Sequence, residues 1–389
     1  MPRARFSLHR SLLALAAIIA AGFFLVVAQP ASAQQQSPSA DQSKGAASDS
    51  AADAKPALSA AEQQIKQAYE KTRSASSIDD FTAIITLCQD GINQGATGES
   101  AGYGRKLEAW AYNRRGEKYS DEKNEKLALK DFEAAVALDK SLWKALQNRG
   151  VSRAYLNDNK GAMADFDAVI RINANYANAW YNRGQLKFDQ GDVTGALDDF
   201  NRAIQLQSND AAYFNSRGHA NYRLGQFREA LADYNRAVQL DPQDATSLVN
   251  RGDAYREQGL YAPAASDYRD AMRINPKFGR AYLQSAWLMA TCPDSRFRDT
   301  DKAISAAERA IELDGDKDYR YPDTLAAAQA NAGKFDDAKT SVNKALASAP
   351  IKQAPHVRQR LELYESGRAY RDGAPAEPVR PASANFPAQ

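Results

Sequence analysis

Cysteine is nearly absent from this chain of 389 residues, with Cys88 and Cys292 the two there are. Two cannot build a disulfide framework, even in an oxidising compartment. Histidine is almost as scarce, and His9, His219 and His356 lie far apart, so no pair stands at helical metal-ligand spacing. Also missing are a glycine-rich phosphate loop, a nucleophile elbow and an HExxH helix. Carboxylates are plentiful, but they sit at polar or repeat positions, and no segment is left over to house a catalytic domain. The chain reads as a non-enzyme with no cofactor and no metal site.

Long apolar runs are missing with one exception. Arg3, Arg5 and Arg10 precede an apolar stretch from Leu12 to Ala28, and Ala31-Ser32-Ala33 supplies a small-residue cleavage site. That order is the order of a secretory signal peptide, 1–33. The run is at the short limit for a membrane span and Pro30 breaks it, which favours cleavage over retention as an N-terminal membrane anchor. No cysteine follows Ala33, which excludes a lipoprotein anchor. The expected location is periplasmic or secreted. Charge of one sign is lacking as well. The whole chain is formally +2, and losing three arginines with the first 33 residues leaves the mature chain at −1. Nothing in that balance calls for nucleic acid or an anionic membrane as partner. Residues 34–58 are Gln, Ser, Ala and Asp with little to bury, and 369–389 are rich in Pro and Ala. Both read as disordered, a linker and a tail.

Between these ends the chain repeats itself. Gly116, Gly150, Gly184, Gly218 and Gly252 recur every 34 residues. Twelve residues after each comes Ala128, Ala162, Ala196, Ala230 or Ala264, and four further on Phe132, Phe166, Phe200, Tyr234 or Tyr268. A fixed period in this range means stacked supersecondary units. In one such unit the pattern predicts a helix from about Ala177 to Gln190, a break at Gly191-Asp192, and a second helix from about Val193 to Gln207. Gly184 and Ala196 let the two approach closely, with Phe200 and Trp180 filling the space beside them. Pro242 and Pro276 fall just past second helices. One unit cannot bury its own apolar face, so the units must stack.

The order Trp180, Gly184, Ala196, Phe200, Ala203 at this period resembles the tetratricopeptide repeat. Five close units fill 109–278, and two degenerate ones fill 279–350, the first with an insertion around "CPDSRFRDT" and Ala286 in place of the glycine. Upstream, 59–108 reads as a divergent helix pair, and 351–368 as a capping helix. The resemblance implies an all-α fold, a right-handed superhelical solenoid of helix-turn-helix repeats that binds a peptide or protein on a concave face of first helices.

One position departs from that pattern. Before each glycine, where an apolar residue is usual, stand Arg115, Arg149, Arg183, Arg217 and Arg251. Sixteen residues later stand Asp131, Asp165, Asp199, Asp233 and Asp267. In the degenerate units the arginines become Ser285 and Leu325, and the aspartates become Ala306 and Ser341. Residues that appear and vanish together are expected to touch. The spacing predicts a structural ladder of Arg–Asp pairs, within or between units.

The candidate groove residues are Trp110, Asn113, Asn148, Tyr181, Asn182, Gln185, Asn215, His219 and Tyr222. Asn148, Asn182 and Asn250 recur just before the ladder arginine, where an asparagine row in some family members holds a peptide backbone. Spacing alone leaves open whether they face a ligand or only neighbouring groups. The family's carboxylate clamp for chaperone C-termini would need lysines where Gln147, Tyr181, Gln185 and Asn215 stand, which argues against that partner. An exported scaffold or adaptor for a protein or peptide is the reading that follows. A structural envelope component assembling through the solenoid surface is the alternative, and a polysaccharide-binding module a weaker one.

Overall fold

The computed structural model describes residues 58–373. The expected signal segment, nearly all of the expected 34–58 linker and the expected tail from 374 lie outside the described residues. Within them, seventeen α-helices and one 3-10 turn occur, and no strand. They form two compact units that divide between Ser208 and Asn209. The first unit holds α1 (Ala60–Lys71), α2 (Ile78–Asn93), α3 (Gly98–Asp121), α4 (Glu125–Leu138), α5 (Trp143–Tyr155), α6 (Asn159–Ile172), α7 (Ala177–Asp189) and α8 (Val193–Leu206). The second holds α9 (Ala211–Arg223), α10 (Phe227–Leu240), α11 (Ala245–Glu257), α12 (Tyr261–Ile274), α13 (Gly279–Thr291), α14 (Thr300–Asp314), α15 (Arg320–Asn331), α16 (Phe335–Ser348) and α17 (Ala354–Glu365).

Local chemistry fixes where the helices start and stop. Ser59 with Glu62, and Ser77 with Asp80, form capping boxes at the starts of α1 and α2. Asn124, Asp158 and Asp192 each accept the backbone N–H three residues on, and so start α4, α6 and α8. The residue before each cap is left-handed, with φ of 62° at Lys123, 69° at Asn157 and 89° at Gly191. Only the last of these is a glycine, the residue that adopts this conformation without strain. Past the second helices, Asp139, Asn173, Asp241 and Asn275 accept the N–H two residues on, which turns the chain toward the next repeat.

Each first helix packs on its own second helix, and within a unit also on the first helix of the neighbouring repeat. The repeating glycine makes the first contact possible. A Cβ at Gly116, Gly150, Gly184, Gly218 or Gly252 would stand 2.6–2.8 Å from the ring of Phe132, Phe166, Phe200, Tyr234 or Tyr268. Those five rings are buried. The insertion after α13 is a loop with a 3-10 turn at Ser295–Phe297, and it leads into α14.

Two boundaries differ from the sequence reading. Helix α3 runs unbroken through 108/109, because neither Gly102 nor Gly104 supplies a stop and the first helix of the next repeat simply continues it. Its N-terminal half packs near α1, where Gly104 faces Ile65. At the other end α17 stops at Glu365, yet the chain stays folded to Gly373. Residues 369–373, read as the start of the tail, hydrogen-bond to α13 and α15.

Candidate functional site

The five arginines and five aspartates meet as bidentate pairs inside each repeat. Arg115 Nε and Nη2 donate to Asp131 at 2.7 and 2.8 Å, and Arg149 to Asp165 at 3.0 and 2.6 Å. The same two atoms join Arg183 to Asp199 at 2.8 and 2.6 Å, Arg217 to Asp233 at 2.9 and 2.6 Å, and Arg251 to Asp267 at 2.8 and 2.7 Å. The aspartates are buried and the arginines half-buried. Hydrogen bonds that Arg115, Arg183 and Arg251 donate to Asp131, Asp199 and Asp267 hold those guanidinium groups above their ordinary pKa. A third nitrogen reaches the preceding repeat: Arg183 Nη1 donates to Asp167 at 2.7 Å and Arg251 Nη1 to Asn235 at 3.2 Å. The ladder therefore ties three helices at these rungs, a link the sixteen-residue spacing did not reveal.

The candidate groove residues separate into two groups. Asn113, Asn148, Asn182, Asn215 and Tyr181 are buried, so they cannot serve as an open binding face. The Tyr181 ring lies 5.9 Å from Phe200, because the third residue before the glycine turns toward the second helix. Asn148 Nδ2 donates to Asn113 and Glu117 of the preceding repeat, each at 3.1 Å, and Asn250 Nδ2 donates to Asn215 at 2.9 Å. These amides knit consecutive first helices together. Trp110, Gln185 and Tyr222 are half-buried, with Trp110 edge-on to Phe81 and Tyr222 edge-on to Phe227. Solvent reaches His219, but surrounding protein with Arg280 and Arg223 pushes its pKa down, so the ring is neutral at pH 7. Among the described residues no group of three His, Cys, Asp or Glu converges as a metal site.

A partly enclosed polar surface lies elsewhere in the second unit. A recess of about 440 Å³ opens over first helices α11, α13 and α15. Its lining includes Arg256, Glu257, Gln284, Trp287, Tyr319, Arg320 and Asp323, closed by Arg360 of α17 and by Asp372. Asp253 anchors one side, accepting from the Tyr268 hydroxyl and Arg280 Nη2, each at 2.8 Å, and from Gln284 Nε2 at 3.3 Å. Arg256 Nη1 donates to Gln284 Oε1 at 3.0 Å. Arg360 Nε donates to Asp323 at 2.8 Å, and both side chains are buried. Sequence reasoning missed this network, since its members recur in no other repeat. One signal was present: a tyrosine at 268 in a row that otherwise began with phenylalanine announces a buried acceptor, and Asp253 is that acceptor.

Helix pairs held by a small–aromatic contact, stacked through first helices, define a helical-repeat scaffold. Residues 184–225 and 218–259 match the family described as TPR repeat, and 245–278 the one described as tetratricopeptide repeat. The chain is a tetratricopeptide-repeat protein. No curated protein sequence matches it. Among solved structures it is similar to the APC/C hetero-tetramer Cut9–Hcn1, with a TM-score of 0.53 and 15% identity over 77% of this chain and 54% of that one. It is also similar to pilF of Pseudomonas aeruginosa (TM-score 0.48, 19% identity, 54% of this chain and 94% of that one). A third is YrrB, described as a TPR protein with an unusual peptide-binding site (TM-score 0.40, 21% identity, 50% of this chain and 95% of that one). At these identities the likeness is one of fold.

Proposed function

We propose that this chain is an exported, non-enzymatic scaffold that holds a protein or peptide partner against the first helices of its C-terminal repeats. The observation that supports this most is the recess over α11, α13 and α15, where aromatic walls adjoin charged groups on rigid helices. Aromatic and arginine side chains in a partly enclosed site are what protein recognition uses most heavily. Export rests on the signal-like residues 1–33. Among the described residues no helix is long and apolar enough to cross a membrane.

The test is affinity capture from an envelope fraction, compared between variants of the full mature chain. Glu257 and Arg320 are exposed at the recess, so Glu257→Lys with Arg320→Glu should leave the fold intact. We expect this pair to lower recovery of the captured partner at least tenfold, a loss of about 1.4 kcal/mol or more. The comparison pair, Lys302→Ala with Arg309→Ala on second helix α14, should leave recovery unchanged. The reverse pattern would place the partner on another face.

A further inference from the structure

The chain does not simply end after its capping helix. Gly367, with φ of 68°, turns it at the end of α17, and it then runs back toward the recess. Ala369 and Tyr370 pack against the core of α15, α16 and α17. The Tyr370 ring lies 5.9 Å from Trp287, and the Arg360 guanidinium stands 5.4 Å from the centre of each ring. Arg371 Nη1 donates to the Ala290 carbonyl at 3.1 Å, and Nη2 to Asn331 Oδ1 at 2.9 Å. Asp372 donates its backbone N–H to the Thr291 carbonyl at 2.9 Å. Its carboxylate accepts from Trp287 Nε1 at 2.9 Å and from the Tyr370 hydroxyl at 3.2 Å. Asp372 and Gly373 then form part of the recess wall.

A solenoid end needs an apolar face covered, and α17 already covers it through Val357 and Tyr364. Tyr370, Arg371 and Asp372, further along the chain than α17, do something different. Each is held by its own chemistry: a ring by an indole and a guanidinium, a guanidinium by a carbonyl and an amide, a carboxylate by an indole N–H. One backbone N–H is paired as well. Main-chain and side-chain contacts in this mixture are how a groove holds an extended peptide.

We infer that α13, α15 and α17 form a peptide slot reading an aromatic–basic–acidic run, and that residues 370–373 occupy it as a resident competitor. This rests on the recess being the partner site, and it gives that partner a chemistry: a segment with the order Tyr-Arg-Asp or its like. A tethered ligand acts at millimolar effective concentration, so an incoming peptide meets a slot that is mostly filled. Its apparent affinity is reduced by the fraction of molecules in which the slot is open.

The probe is a fluorescein-labelled peptide with the sequence of residues 366–373, titrated by anisotropy against the full mature chain. Tyr370→Ala with Asp372→Asn weakens the resident segment and leaves Trp287, Arg360 and Asn331 in place. This variant should bind the peptide at least tenfold more tightly than the unaltered chain. A peptide with tyrosine replaced by alanine and aspartate by asparagine should bind it at least tenfold more weakly than the unaltered peptide. Equal affinity of the two chains, or of the two peptides, would overturn the inference. Should the double variant lose helical circular dichroism, Asp372→Asn alone gives the same comparison with the rings intact. Peptide binding to the opened chain, with envelope capture indifferent to Glu257 and Arg320, would keep the slot and remove the proposed partner site. Capture that depends on the recess, with no peptide binding to the opened chain, would do the opposite.

Discussion

At the scale of single residues, the Arg–Asp pairs are alike in geometry and unlike in surroundings. Asp199 has a second cation, Lys187 Nζ at 2.8 Å, and Asp165 has Arg153 Nη1 at 2.9 Å, so losing Arg183 or Arg149 strands neither carboxylate. Asp267 is bonded by no cation but Arg251 among the described residues. Burial pushes its carboxyl up even against those two bonds. With the folded pKa above the unfolded one, the native state binds the extra proton between them, and stability falls as pH rises through that window. At neutral pH the fold therefore carries a buried charge whose burial the arginine offsets only in part. Arg251→Leu alone should cost about 3–5 kcal/mol, and Arg251→Leu with Asp267→Leu should recover most of it. A double-mutant cycle by urea unfolding measures this, and strictly additive losses would contradict the coupling. The pairs were legible because both partners disappear together in the degenerate repeats. The burial of Tyr181 and the asparagines was not, since it depends on a helix rotation that spacing does not define.

At the scale of helices, the period carries most of the information because it records one contact. Where the glycine persists, an aromatic ring lies on it. In the last repeat Ala326 and Val342 share a core cluster, so a larger small residue goes with a smaller large one. That exchange keeps the last repeat packed as a helix pair. It also separates two kinds of helical glycine. Gly184 would bring a Cβ to 2.8 Å from the fully buried Phe200 ring, whereas a Cβ on Gly102 of α3 meets nothing within 4 Å. Alanine is the better helix former by about 1 kcal/mol, so Gly102→Ala should stabilise by up to that amount. At Gly184 the same gain meets an overpacking cost of about 1–3 kcal/mol, and Gly184→Ala should be destabilising. Thermal or urea unfolding of the two variants should move in opposite directions, and a shared sign would remove the glycine–ring contact as the basis of the period. What the period concealed was the unrepeated: the continuity of α3 across two repeats, and the segment that returns after α17.

At the scale of the molecule, contacts in a repeat array are local, and so is stability. The two cysteines report on that directly, one in each compact unit. Cys88 is buried with Phe81, Ile84 and Ile85, and burial together with Glu108 pushes its thiol up to about 12. Cys292 is buried beside Val249 and Tyr268, and burial raises its pKa as well. Both thiols are free. A buried, protonated thiol is a poor nucleophile, so the native chain should resist maleimide near pH 7.5 and take up two labels per chain only when unfolded. Cys292 stands at the C-terminal end of α13, next to the inserted loop, whereas Cys88 lies within α2. Opening the first requires only a frayed helix end, and opening the second requires the helix pair to part. Peptide-level mass spectrometry across a urea series should therefore show Cys292 labelled at lower denaturant than Cys88. Labelling of Cys88 first would be incompatible with opening that begins at a frayed helix end.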